Sequence, residues 1–402
     1  MENLTTLKGL NGSASTFTQS LLSLSIDLGG LISGAFLAVY LTVLSRAPWG
    51  LLLFPGILSI RGSIGGVLSS RLGTALHVGT IEPSLLKNTK EYYLSLAAVV
   101  TITLFSCFIL SIVSTFFGIL LLGMKFSDLI DLLGVTIATM ASSIVLVMPL
   151  TIGISISAFK KGLDPDVIVY PVISTLADIL VTFCYVTAIT KYFESPYGRY
   201  LIWLFDLLFV AVVTVILTRN FREKDYIKMM KEFSLSLILV TLIVNVSGFS
   251  LNKIRESIGN KPKVFMVYPA LIDTVGDVGS IVGSTATTKL ALGLLVPSLS
   301  SIKGHVSTVG AAWSASIIMF LAYSTLASMI YKSLLGGYVN LSLQLLLTNL
   351  TAVPLIVAIV HIISIVTYKY GLDPDNFTVP IESSIADAIT TLCLLSALML
   401  LP

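Results

Sequence analysis

Two aspartates, Asp178 and Asp387, sit inside apolar stretches that are two copies of one sequence. GLDPDVIVYPVISTLADILVTFCYV begins at Gly162 and GLDPDNFTVPIESSIADAITTLCLL at Gly371, a constant offset of 209. At that offset Asp164, Asp166, Pro171, Ser174, Asp178, Thr182 and Cys184 each meet an identical residue. An aspartate in an apolar span is costly in lipid unless it is paired or faces water, so by default it marks an ion or substrate route. Ser174 and Ser383 stand four residues before their aspartates, which puts each hydroxyl on the aspartate's helix face. The chemistry on offer is carboxylate and hydroxyl oxygen, presented once per half. A protonated, purely structural aspartate explains one such residue better than it explains two at matched positions.

A second repeated stretch carries further oxygen ligands. FPGILSIRGSIGGVLSSRLGTALHVG from Phe54 aligns with YPALIDTVGDVGSIVGSTATTKLALG from Tyr268 at an offset of 214. Asp273 and Asp277 are four apart and share a helix face; Ser59 and Ser63 hold their places in the first copy, with Arg61 between them. The glycines permit close helix packing, or an unwound turn that exposes carbonyls. Two readings stand for this stretch. It is small-residue packing with Arg61 neutralising an aspartate, or Asp273 and Asp277 join the cation route while Arg61 tunes or gates its charge. Glu382 has Ile173 as its counterpart, so the two halves are not equivalent, and Glu382 joins Arg61 as a candidate for charge tuning. The two GLDPD loops put Asp164, Asp166, Asp373 and Asp375 at one mouth, as helix-capping turns or as a cation-collecting vestibule. Asp27 and Asp206 are lone carboxylates without a repeat partner, and a structural role is expected for Asp206.

The elements that must position these groups are membrane spans. Of 402 residues 55% are hydrophobic and 11% charged, whereas a soluble chain carries about 25% charged residues. The net charge of +3, scattered between apolar runs, argues against a nucleic-acid partner. Cys107, Cys184 and Cys393 lie in apolar stretches without zinc or redox spacing, and His77, His305 and His361 have no ligand spacing, so no softer-metal site and no organic cofactor are expected. Runs of about 20 apolar residues predict eleven spans: 20–45, 51–75, 92–123, 128–158, 167–190, 199–218, 233–252, 264–292, 307–331, 338–368 and 376–400.

The predicted fold is an all-α polytopic membrane protein built from two five-helix repeats, 20–190 and 233–402, joined by an extra helix at 199–218 and a charged linker at 219–232. The odd crossing restores the orientation of the second half, giving parallel repeats about a pseudo-two-fold axis along the membrane normal. Loop charge, concentrated in NFREKDYIKMMKEF at 220–233, predicts a cytoplasmic N-terminus and an external C-terminus, and the plasma membrane is the expected location. Residues 1–19 have no signal-peptide pattern and form only a short cytoplasmic tail. No soluble regulatory domain is expected. Hard cations prefer an all-oxygen set, and magnesium is usually held through retained waters by one or two carboxylates.

PVISTLAD, PIESSIAD, the GLDPD loops and SIRGSIGGVLSSRLGTALHVG resemble the membrane domain of the MgtE and solute-carrier-41 magnesium transporters. Two fused five-span units resemble the solute-carrier-41 branch more than bacterial MgtE, whose pore is made by two identical chains. The resemblance implies a pore on the pseudo-two-fold axis with Asp178 and Asp387 as central contacts for hydrated magnesium. It covers nearly the whole chain, but the family's Gly-Asn in the second span reads Gly62-Ser63 and Gly276-Asp277, and the sensor and paired CBS domains are absent.

The expected function is therefore divalent-cation transport through an aspartate-lined pore between the repeats, with magnesium as cargo and lipid as the surrounding partner. Oxygen ligands alone leave manganese, cobalt or calcium transport and sodium- or proton-coupled magnesium export open. An intramembrane aspartyl hydrolase would need a shared-proton dyad and a Gly-x-Gly-Asp loop, and Val275-Gly276-Asp277 lacks the first glycine. One chain can supply the whole pseudo-dimeric pore, so a monomer is sufficient.

Overall fold

The structure, a computed structural model, describes residues 16–85, 87–160, 165–259, 261–291, 293–370 and 374–401. Eleven helices among them are long and apolar enough to cross a membrane. In chain order they are α1 (Thr16–Val39), α2 (Trp49–Val78), α3 (Lys90–Leu122), α4 (Asp128–Lys160), α5 (Pro165–Glu194), α6 (Pro196–Asn220), α7 (Lys224–Ile258), α8 (Pro262–Ala291), α9 (Val306–Ile330), α10 (Leu335–Tyr370) and α11 (Pro374–Leu400). Each expected span overlaps one of these helices, although the first, 20–45, runs on past the end of α1 at Val39, and the described residues form no strand. The chain is an all-α polytopic membrane protein. Apolar runs of this length adopt helix because lipid offers backbone N–H and C=O groups no other partner.

The repeat is visible in helix geometry. α2 and α8 carry Pro55 and Pro269 at matched internal positions. α2 ends on Gly79 at φ 78°, whose N–H bonds the Ala75 carbonyl, and Gly293 after α8 has φ 70°. A left-handed residue at this place ends a helix at low cost only when it lacks a Cβ. α1 has no such regularity. Its middle turn, Ile26–Gly29, is a 3-10 helix that contains the buried Asp27. Tightened turns of this kind in mid-helix often accompany local strain or function.

The helices form two compact units. One joins α1 to the residues from Lys253 onward; the other is Val39–Asn252. Each unit therefore takes the first helix of one half and the later helices of the other. The packing behind this exchange is the same in both. A Cβ on Gly34 of α1 would overlap the Met266 carbonyl of α8, and one on Gly248 of α7 would overlap the Leu52 carbonyl of α2. Gly34 and Gly248 are 214 apart, as are Leu52 and Met266. With no hydrophobic drive between helices in lipid, small residues that let backbones touch supply the association.

The extra helix α6 packs within the Val39–Asn252 unit and buries only Gly198, Ile202, Asp206 and Val213. Leu201, Leu204, Leu207 and Leu208 point outward, as expected for a lipid-facing span. Its inner face meets α4 at Gly134, where a Cβ would stand 3.2 Å from Trp203 Nε1 and 3.4 Å from Asp206 Oδ2.

Candidate cation site

In the Val39–Asn252 unit, α5 places Asp178 against α2. Asp178 is 5% exposed, and its Oδ1 lies 3.8 Å from Nη1 of Arg61, itself 5% exposed. Arg61 thus does pair with an aspartate, and the partner is the repeated one. Its guanidinium folds back along its own helix over Gly65, where a Cβ would fall 3.2 Å from Nη2. Ser174, one turn before Asp178, is half-buried. Ser63 Oγ donates to the Ser59 carbonyl at 2.9 Å, so that hydroxyl is spent locally.

In the unit containing α1 and α8–α11, the same frame is acidic. Asp387 is 6% exposed and Ser383 half-buried. Gly276 of α8 faces Ala386 of α11, its would-be Cβ 3.9 Å from the Ala386 Cβ, so the two helices pass closely beside Asp387. The Tyr268 hydroxyl and Thr391 Oγ1 are 3.0 Å apart, and Thr391 donates to the Asp387 backbone carbonyl at 2.6 Å. Val275 stands where the first copy has Arg61, fully buried.

Asp27 of α1 enters this region. Thr274 Oγ1 donates to Asp27 Oδ2 at 2.8 Å. Thr274 has one hydroxyl proton, so the Tyr323 hydroxyl of α9, 2.7 Å away, donates to Thr274. The Asp27 carboxyl also lies close to that of Asp277. The Tyr323 hydroxyl lies within electrostatic reach of Asp27, Asp273 and Asp277. Tyr268 is within reach of Asp387 and Asp273.

Glu382 of α11 completes the set. It is 3% exposed, its carboxyl lies within electrostatic reach of Asp277 and near Ser280, and its Oε1 has no hydrogen-bond partner among the described residues. The carboxyl rests on a surface cleared by two glycines of α8. A Cβ at Gly279 would be 2.7 Å from Oε1, and one at Gly283 would be 3.6 Å from Oε2.

The structure thus joins Asp277 with Glu382 in one unit and Arg61 with Asp178 in the other. Asp273 lies in the acidic group. Asp164 and Asp373 lie outside the described residues, as do the side chains of Asp166 and Asp375. Asp27, Thr274 and Tyr323 are the members that sequence reasoning did not assign to a site. Asp27 meets Thr241 at the offset of 214, so the repeat gave it no support. Among the described residues no three His, Cys, Asp or Glu side chains converge as a ready-made chelate. His361 is buried, with Nε2 3.3 Å from Ser301 Oγ, and His305 Nε2 is 3.0 Å from the Val282 carbonyl.

Residues 54–188 and 268–397 match the MgtE family, described as a divalent cation transporter. The matched segments begin at Phe54 and Tyr268, the first residues of the second repeated stretch. No solved structure matches the chain.

Proposed function

The chain belongs to the MgtE family of divalent cation transporters, and from that premise we propose that it moves hydrated magnesium along a path lined by Asp178 and Asp387. The family assignment makes it an integral membrane transporter and not an enzyme. The observation that carries the finer reading is the oxygen face of α8. Asp273, Asp277, Ser280, Ser284 and Thr288 follow one another at spacings of three or four within a membrane span, and all are half-buried or exposed. Carboxylates that are neither sealed in protein nor at a helix end are tolerated in mid-span when they line water.

Magnesium suits this donor set because it demands oxygen, sheds water reluctantly and needs few protein ligands. Each half contributes one aspartate with a hydroxyl one turn before it, so one chain supplies both walls and functions as a monomer. The repeats run over 20–190 and 233–402, with the N-terminus cytoplasmic, the C-terminus external and the plasma membrane as location.

The test is divalent flux into proteoliposomes that hold the purified protein and a magnesium-sensitive dye. Voltage is imposed first, then a sodium or proton gradient. Magnesium entry that disappears in the D178A/D387A double variant supports the reading. Undiminished flux in a folded double variant overturns the aspartate path. Movement of manganese, cobalt or calcium without magnesium overturns the choice of cargo, and a requirement for a counter-gradient identifies a coupled exchanger.

A further inference from the structure

One glycine position, repeated at the offset of 214, carries opposite charges in the two halves. On Gly65 lies the Arg61 guanidinium; on Gly279 lies the Glu382 carboxyl. In the first case the charge is paired with Asp178, and Ile173 holds the place of the glutamate. In the second, Val275 holds the place of the arginine, so no tethered cation occupies that position. A buried carboxylate whose oxygen lacks a partner is costly unless a cation comes to it.

We propose that Glu382 and Asp277 hold the transported divalent cation in the second half, at the place that the Arg61 guanidinium fills in the first. The reading deepens the proposed transport function and rests on it. Three features support the site. Glu382 Oε1 is buried and has no hydrogen-bond partner among the described residues. Gly279 and Gly283 leave the space in which the carboxyl lies. Asp277, within electrostatic reach, is half-buried, and Ser280, near the carboxyl, is exposed, so the site opens to the oxygen face of α8. Two carboxylates and a hydroxyl, with water completing the shell, match the way a small hard cation is held. The first half, already neutralised, binds none. The two halves thus share a fold and divide the labour: one holds an exchangeable cation and the other a built-in one.

The experiment measures manganese binding to the full-length purified protein in detergent by electron paramagnetic resonance, with thermal unfolding as a check on folding. One equivalent is expected for the unaltered chain. E382Q keeps the volume and removes the charge, and should weaken binding at least about tenfold, the scale seen for loss of even an outer-shell partner. V275R brings a tethered cation to the second half and should abolish binding in a protein that still folds. Binding unchanged in E382Q shows a carboxyl that is neutral or structural and overturns the site. Binding unchanged in folded V275R overturns the correspondence with Arg61. Either result, with wild-type magnesium flux intact, leaves the transport reading standing; a wild type that moves no divalent cation defeats the parent reading instead.

Discussion

Arg61 Nη1 stands 3.8 Å from Asp178 Oδ1, and both side chains are less than a tenth exposed. A buried pair of this kind adds little net stability, but removing one partner leaves the other uncompensated and costs about 3–5 kcal/mol. R61V should therefore lower the unfolding free energy by roughly that amount. R61V/D178N should recover most of the loss, because both charges go together. Thermal or denaturant unfolding in one detergent, compared across the double-mutant cycle, checks this; equal destabilisation in R61V and R61V/D178N would show that the two side chains do not act as a pair.

The same pairing makes the two repeated aspartates unequal. D387N should reduce magnesium flux by about tenfold or more, and D178N by less, since the Asp178 charge is already offset by Arg61. Initial rates from matched proteoliposomes decide it. Equal losses would mean that Arg61 does not screen Asp178 from the ion.

The exchanged helices rest on glycine. G34A and G248A each place a methyl group against a backbone carbonyl, of Met266 and Leu52 respectively, and should cost about 1–3 kcal/mol each. The unfolding midpoint of each variant is the readout. A G34A protein as stable as the parent would show that α1 does not depend on this contact.

Asp206 is the buried carboxylate of α6 and belongs to neither cation group. Its Oδ1 has no hydrogen-bond partner among the described residues, and it abuts Gly134. D206N should keep flux within about twofold and change stability by no more than about 0.5 kcal/mol. D206L, which crowds Gly134, should destabilise by about 1–3 kcal/mol. Loss of flux in D206N would place α6 in the transport path.

The spans and the repeat were legible because both are written in single residues: long apolar runs, and an Asp-Pro-Asp loop with its downstream aspartate recurring at one offset. Asp178, Asp387, Ser174 and Ser383 occupy matching depths in their helices for the same reason. The exchange of first helices was not legible. Gly34, Gly248, Leu52 and Met266 carry the contact in their spacing, but an offset is the same whether a helix packs on its own half or on the other. Asp27 escaped because Thr241 breaks the repeat there, and its carboxyl acquires meaning only beside Thr274 and Asp277. Glu382 was visible as an asymmetry, whereas the glycine surface beneath it belongs to another helix.

The Asp27–Thr274 hydrogen bond joins residues 247 positions apart, and this sets an order for biosynthesis. At about 5–20 residues per second, α1 reaches the membrane roughly ten to fifty seconds before α8 has been made. Over that interval α1 holds a carboxyl in mid-span whose donor does not yet exist. The compact unit Val39–Asn252 is complete in the chain before Thr274 has been made. α1 is thus made well before the helix that seats it, and truncation anywhere before α8 removes both the Thr274 hydroxyl and the Met266 carbonyl on which it packs.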